Sequence, residues 1–387
     1  MYRIGKEEID AVARVIESKE LFKVNGGPYH ETENFEKEIR EKLDTKYSVL
    51  MTSGVAAMTA ALIGMGIGPG DQVIVPGYTY IASAMAVVAA GAIPVLCEVD
   101  DTLTIDPDDI RKKITKHTKA IIPVHIQGYP CNMDAVTEIA KEYGLLVLED
   151  ACQADGGSYK GRRLGTIGDA GAFSFNFFKV ITAGEGGALV TDDEDIFRRA
   201  MIYHDASAIA YFGNQLDDIE KDSFCGTEFR TDEIKAAILR VQLTKMDGIL
   251  KDLRSVKTAV AKAVEGKLRV IRSNDADGDC ATTITFSFDT ADEAVSFAEK
   301  SGGVRPIDTG KHVYSRWTPI IRKRGAFNPL MDPFRMEANK DIVPEYTEDM
   351  CPKTLEILSK CVHINLNPDW TAEQIGALAD KLIGAVK

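Results

Sequence analysis

The feature that most constrains this chain is a rhythm between residues 47 and 192. Seven short runs rich in apolar and β-branched residues occur there: YSVLMTS (47–53), QVIVPG (72–77), IPVLCEV (93–99), KAIIPVHI (119–126), LLVLED (145–150), GAFSFN (171–176) and GALVTD (187–192). The first five are separated by stretches long enough for crossover helices. Strands alternating with helices pack as a mostly parallel sheet with helices on both faces. The expected fold class is therefore α/β, with a large, mostly parallel seven-stranded sheet. In such sheets ligands bind beyond the carboxyl ends of the strands, so the residues that end each run carry the functional reading.

The flanks read differently. Residues 6–18 and 31–43 have helical spacing, and Gly26-Gly27-Pro28 lies between them as a loop. A helical run over 231–253 is long enough to link two units. Beyond it, RVIRS (269–273), TTITFSFD (282–289) and helical segments at 291–301 and 371–385 predict a smaller α+β unit, with the amino-terminal helix as a candidate addition. The expected division is a large domain over 1–245 and a small carboxyl-terminal domain over 246–387. The stretch 305–348, rich in Arg, Pro, Gly and aromatics, reads either as an active-site loop region or as a surface connection.

Composition removes several classes of function. Against 46 Lys and Arg stand 59 Asp and Glu, a formal net charge of −13 over 387 residues, whereas a nucleic-acid reader needs a basic face. Seven cysteines occur at scattered spacings with no C-x-x-C, which favours reduced thiols over a disulfide framework or structural zinc. The first residues are charged, and no apolar run approaches the ~18 residues of a membrane helix. The expectation is a cytoplasmic enzyme with neither nucleic-acid nor membrane partner. Walker, G-x-G-x-x-G, H-E-x-x-H and G-x-S-x-G motifs do not occur, so no metal site is expected.

Four features at strand ends carry chemistry. Ser53-Gly54-Val55 opens an Ala-rich helix: Ser53 suits an N-cap, Gly54 permits close approach, and free N–H groups there bind phosphate. Its plain alternative is a capped, tightly packed helix. Tyr80, after QVIVPG, can lay its ring on a flat heterocycle or pack at a sheet edge. Glu149 and Asp150 end the apolar run LLVL, where buried acids are costly unless paired or functional. A carboxylate there can keep a pyridinium nitrogen protonated, or simply sit at a helix start. Lys179, between Phe177-Phe178 and a glycine cluster, is placed for desolvation, which makes an amine usable for a Schiff base. Together these four describe a pyridoxal phosphate (PLP) site.

On these residues the chain resembles the DegT/DnrJ/EryC1/StrS family of PLP-dependent sugar aminotransferases. The resemblance is carried by FEKEI (35–39), MTSGVAAMTAAL (51–62), GPGDQVIVPGYTYIASA (68–84), GAIPVLCEVD (91–100), VHIQGYPCNMD (124–134), LVLEDACQADGG (146–157), GTIGDAGAFSFNFFKVITAGEGGALVTDD (165–193) and FRTDEIKAAI (229–238). It implies the aspartate-aminotransferase-like fold (fold type I) and a homodimer with active sites at the interface. By resemblance Lys179 is the internal-aldimine lysine and Asp150 pairs with the pyridine nitrogen. Gln153 sits near the ring and its phenolic oxygen, and Tyr80 stacks on the ring. Gly54, the backbone of Val55 and Ser174 take phosphate positions, with Ser53 at the same helix start. Two departures stand out. Val55 replaces the family's usual Thr. Gly226-Thr227-Glu228-Phe229-Arg230 replaces the common G-x-N-x-R, whose Asn reaches the neighbouring subunit's cofactor phosphate. An ionised Glu would be repelled by phosphate, so Glu228 is expected not to touch it.

The implied reaction is a ping-pong transamination from glutamate or glutamine to a keto-sugar in amino-sugar, surface-polysaccharide or natural-product biosynthesis. Acceptor classes are nucleotide-linked keto-hexoses, octulosonate-type sugar acids, which S-F-x-x-x-K over 174–179 favours by resemblance, and cyclitol ketones. Arg305, His312, Tyr314, Arg316 and Arg322 are candidates for an anionic substrate, or else a solvated basic loop. Two alternatives remain. One is a dehydratase of the same family using the amine form of the cofactor (PMP), in which His replaces the lysine. The other is a non-catalytic, cofactor-binding regulatory homologue.

Overall fold

The computed structural model describes residues 3–25, 27–206, 216 and 223–386. Its main sheet has seven strands: β1 (Tyr47–Met51), β2 (Gln72–Pro76), β3 (Ile93–Cys97), β4 (Thr118–Ile121), β5 (Leu146–Asp150), β6 (Ala170–Ser174) and β7 (Gly187–Thr191). Their order across the sheet is β1-β7-β6-β5-β4-β2-β3. Only β7 runs against the rest, pairing antiparallel with both β1 and β6. β2, β3, β6 and β7 are buried along their whole length, as expected of strands covered on both faces. The seven expected runs are thus the seven strands of the sheet, with shorter ends.

Between the first five strands lie the crossover helices Gly54–Gly64, Ala82–Ala89, Pro107–Lys113 and Met133–Tyr143. The first, GVAAMTAALIG, is apolar nearly all round and almost wholly buried, the pattern of a core helix rather than a surface one. Its small side chains let it lie close on the sheet. Gly187 makes this approach feasible: a Cβ there would sit 2.3 Å from the carbonyl of Ser53. The start of the helix is therefore pressed onto β7.

The long helix Glu233–Ala263 is capped by Asp232, whose side chain accepts from the Lys235 amide. Its buried positions recur at three- and four-residue intervals from Ala236 to Val260. It continues ten residues past the expected end at 253, because Arg254–Ala263 contains neither Pro nor Gly. The 245/246 division therefore falls inside one continuous helix. Ala11 and Val15 of the helix Lys6–Ser18 pack on Ala237, so the amino-terminal helix docks on this shared element.

A second sheet holds β8 (Arg269–Val270), β9 (Thr283–Ser287) and β10 (Cys361–Asn365), all antiparallel in that order. Helices Ala291–Ser301 and Ala372–Val386 cover it, with Phe286, Phe297 and Leu382 in its core. Sequence reading missed β10, because CVHIN carries a histidine at its centre. That His363 is buried and satisfied: the Tyr78 hydroxyl lies 2.8 Å from Nε2 and the Thr285 hydroxyl 2.6 Å from Nδ1. The contact with Tyr78 also ties the second sheet to the loop after β2.

Residues 305–348 are not a free surface connection. They pack along the β2–β3 side of the main sheet. The Tyr314 amide donates to Gly77 O (3.0 Å), Thr79 N to His312 O (3.0 Å) and Ile81 N to Lys311 O (2.9 Å). Further along, the Gln72 amide group donates to Ile342 O. No helix among the described residues is long and apolar enough to cross a membrane.

Candidate active site

The carboxyl ends of β1, β5 and β6 open into one cavity of about 670 Å³. At its inner end the Gly54–Gly64 helix begins. Ser53 Oγ accepts from the Ala56 amide at 3.1 Å, while the amides of Gly54 and Val55 precede any intrahelical acceptor. A Cβ on Gly54 would lie 2.7 Å from Cys152 Sγ and 3.0 Å from Ser174 Cβ. Glycine there leaves a cradle between the helix start and Ser174, and the helix N-terminus makes that cradle attractive to an anion.

The two acids that end β5 part company. Glu149 is fully buried and wholly structural. Its carboxylate accepts from the amides of Gly165 (2.9 Å), Gly168 (2.7 Å) and Ile167. It also accepts from His125 Nε2 at 3.0 Å. Because the Cys131 amide donates to Nδ1 of that ring (3.1 Å), Nε2 carries the proton given to Glu149. Asp150 instead lines the cavity. Its Oδ2 accepts from the Ser83 hydroxyl at 2.7 Å and its Oδ1 from the Cys152 amide at 3.1 Å. Two donors fix the carboxylate with lone pairs still available to the cavity.

Lys179 reaches the same cavity from the loop after β6. Its backbone turns on Asn176, whose carbonyl accepts the Lys179 amide at 3.0 Å. The Asn176 side chain in turn donates to Glu185 at 2.9 Å, closing the loop across its glycine-rich far side. Gln153 is held by the Gln127 amide, which donates to Oε1 at 3.0 Å. On the opposite wall Tyr80 stands 40% exposed. The His312 ring lies 5.5 Å from it at 54°, and Lys311 Nζ lies 5.4 Å from its ring centre. Burial, then the charges of Lys311 and Lys179, lower His312 to about 4, so its imidazole is neutral at pH 7.

Ser53, Gly54, Val55, Tyr80, Asp150, Gln153, Ser174, Lys179 and His312 therefore share one cavity. The other substrate candidates do not reach it. Tyr314 is fully buried, its hydroxyl accepting from the Cys351 amide at 2.8 Å. Arg305 pairs with Asp308 at 2.9 Å. Arg316 and Arg322 are exposed outside the cavity lining. Glu228 pairs with Arg230 at 2.6 Å, and Arg230 also pairs with Asp205. Sequence reading missed Lys311, Gln127 and Ser83. Lys311 adjoins His312 in the chain, and the other two lie in the blocks VHIQGYP and YTYIASA, so proximity to recognised motifs was the available signal. Among the described residues no group of three His, Cys, Asp or Glu side chains could hold a metal ion.

A helix-start anion cradle, a fixed carboxylate and an amine thus share one cavity of a doubly covered α/β fold. A model of the DegT/DnrJ/EryC1/StrS aminotransferase family matches residues 2–290, and the chain belongs to that family. The dTDP-3-amino-3,4,6-trideoxy-alpha-D-glucose transaminase of Streptomyces venezuelae is 41% identical over 249 residues, covering 64% of this chain and 62% of that protein. The GDP-perosamine synthase of Caulobacter vibrioides is 40% identical over 216 residues, covering 55% of this chain and 56% of that protein. The match thus spans about six tenths of these curated relatives' length. The crystal structure of S. venezuelae DesV in complex with a ketimine intermediate superposes with a TM-score of 0.78 at 30% identity, covering 98% of this chain and 94% of that one.

Proposed function

We propose that this chain is a PLP-dependent aminotransferase that moves an amino group from glutamate or glutamine to a keto-sugar. The observation that carries the proposal is the meeting of Lys179, Asp150 and the Gly54–Ser174 cradle in one cavity. These residues fit the cofactor. The amides of Gly54 and Val55, with Ser174, would hold its phosphate. Asp150 would hold its ring nitrogen, Gln153 its phenolic oxygen and Tyr80 a ring face, while Lys179 Nζ would bond its aldehyde carbon. When bound, the cofactor supplies an electron sink for the bond cleaved at the donor's α-carbon.

The chain's own groups do the rest. Lys179 Nζ, once released, would take the proton from the donor's α-carbon and hold it for return across the bridging nitrogen. Asp150, fixed by the Ser83 hydroxyl and the Cys152 amide, would present its carboxyl group to the ring nitrogen. Lys311 supplies a cation that an acceptor's anionic group can approach. A lysine at 179, rather than histidine, favours transamination over the dehydratase alternative.

The likeness to a dTDP-sugar transaminase and a GDP-perosamine synthase supports a nucleotide-linked keto-hexose as acceptor. The residues after Ser174 keep an octulosonate-type acid as the second acceptor class. We further propose a cytoplasmic homodimer, with 1–245 as the cofactor-holding unit and 246–387 as its smaller partner. An apolar hollow lined by Ile4, Ile9, Val12, Phe177, Ala183 and Ile238 lies beside the cavity mouth, where Phe178 is 73% exposed. A second copy covering it would shelter both.

The test is a half-reaction. PLP-loaded protein given glutamate without acceptor should convert its visible absorbance to that of PMP, and a panel of keto-sugars should then restore it. Binding of PLP with no conversion by glutamate or glutamine would favour the regulatory alternative.

A further inference from the structure

One face of the second sheet carries a block of polar residues. In the antiparallel pairing of β9 and β10, Thr283 stands directly opposite Asn365 and Thr285 directly opposite His363. Alternate residues of a strand, and residues directly opposed across a pair, share a face. The Thr285–His363 pair is fully engaged: the Thr285 hydroxyl accepts from the Tyr129 hydroxyl at 3.0 Å and lies 2.6 Å from His363 Nδ1. The Thr283–Asn365 pair differs. Thr283 is 2% exposed, and its hydroxyl has no hydrogen-bond partner among the described residues. Asn365 is exposed. Both line the cavity that also holds Lys179 and Asp150. A buried, unpaired hydroxyl is costly, and a valine would fill the same space without one. Such a cost points to a use.

The chemistry of the pair suits one of the two substrates. A hydroxyl and a carboxamide are neutral, and each both donates and accepts. A sugar hydroxyl does the same, so it can bond to either. A donor amino acid is recognised chiefly by its carboxylate, which only accepts and is held best by a cation. Lys311 lines the same cavity for that purpose or for an anion on the acceptor. The wall beside the pair is fixed in place. The Thr282 hydroxyl donates to Gln127 O at 2.7 Å, and the Gln127 amide donates to Gln153 Oε1 at 3.0 Å. Through Gln127 the second sheet is thus bonded to the side chain proposed for the cofactor's phenolic oxygen.

We propose that Thr283 and Asn365 are specificity-determining residues that read the hydroxyl groups of the amino-group acceptor. Their ligand class is a polyhydroxylated ketone. An acceptor that lacks the hydroxyls leaves the Thr283 hydroxyl unpaired and is rejected for that reason. Selection among ketones then lies on β9 and β10, apart from the residues proposed to hold the cofactor. The inference rests on the keto-sugar reading and assigns it a recognition surface.

The test titrates PLP-loaded protein with amines and follows the absorbance of the bound cofactor, so no turnover is needed. The hydroxylated probes are the methyl glycosides of 3-amino-3-deoxy-D-glucose and 4-amino-4-deoxy-D-glucose. The control is cyclohexylamine, a ring of the same size without hydroxyls. Wild type should bind at least one aminosugar ~10-fold or more tighter than cyclohexylamine. Thr283→Val and Asn365→Ala should each lower that ratio about fivefold, the worth of one neutral hydrogen bond, and Thr283→Ser should retain most of it. A ratio unchanged in both variants would overturn the proposal and leave the keto-sugar reading standing. Equal weakening of both amines leaves the ratio unchanged, marks a structural role and overturns it too. Should Thr283→Val fail to fold, the ratio in Asn365→Ala, a change at an exposed position, decides. Wild type with no preference for either aminosugar would contradict the keto-sugar reading and the proposal with it. Wild type that never develops a visible PLP band would contradict the cofactor reading, on which both depend.

Discussion

Replacing Gly54 by Ala offers a sharp test of the cradle, because two effects of opposite sign compete. Ala in place of Gly inside a helix ordinarily favours folding by about 0.5–1 kcal/mol. Here the added Cβ would meet Cys152 Sγ at 2.7 Å, Ser174 Cβ at 3.0 Å and the Phe173 carbonyl at 3.3 Å. The thiol is buried and bonded to the Ala172 carbonyl at 3.6 Å, so it cannot swing clear. Overpacking of this kind costs about 1–3 kcal/mol. The net effect is a destabilisation of roughly 1–2 kcal/mol in the cofactor-free protein. PLP should also stabilise the variant less than wild type, since the cradle is filled. Urea unfolding with and without PLP measures both effects. Cys152→Ala removes the closest clashing atom, so in that background Gly54→Ala should cost at least ~1 kcal/mol less. A Gly54→Ala protein as stable as wild type, or additive effects in the double variant, would refute the steric reasoning.

Other expectations follow from the same contacts. Glu149→Ala strands three main-chain amides and the His125 ring, so its urea midpoint should fall by the equivalent of at least ~3 kcal/mol, and a smaller loss would mean the loop 165–168 carries its own support. Burial, together with the charges of His312 and Lys257, lowers His363 to about 3, against roughly 6.5 when unfolded. Between those values the unfolded chain binds the extra proton, so stability present above pH ~6.5 is lost as pH falls. Wild type should lose about 2 kcal/mol more than His363→Gln between pH 7 and 5, whereas parallel losses would contradict the buried neutral ring. Cys225 is the exposed thiol among buried ones. A disulfide reagent should therefore label one cysteine quickly in native protein and none quickly in Cys225→Ser, and rapid labelling of Cys152 would contradict its burial.

The sheet was legible because four of its strands are buried along their whole length, and Val73–Pro76 of β2, all of β3 and Gly187–Val190 of β7 read as unbroken apolar runs. The cavity lining was legible for the same topological reason: Gly54, Asp150 and Ser174 follow or end such runs, where this fold opens its cavity. What escaped depended on long-range contacts. β10 reads poorly because His363 breaks an otherwise apolar strand, and its satisfaction comes from Thr285 and Tyr78, 78 and 285 residues away in sequence. Lys311 enters the site because its segment docks on the loop after β2 through main-chain bonds that no side-chain pattern encodes. Arg305, Arg316 and Arg322 share its charge, yet their segment turns them to solvent or to Asp308.

The central claim is that Lys179 holds the cofactor. Borohydride reduction of the PLP-loaded protein, followed by peptide mass mapping, tests it most directly. The account predicts that the cofactor mass lies on the Lys179 peptide, that prior glutamate removes it, and that Lys179→Ala stays folded with neither the adduct nor turnover. Modification of another lysine, or near-normal turnover in Lys179→Ala, would contradict it.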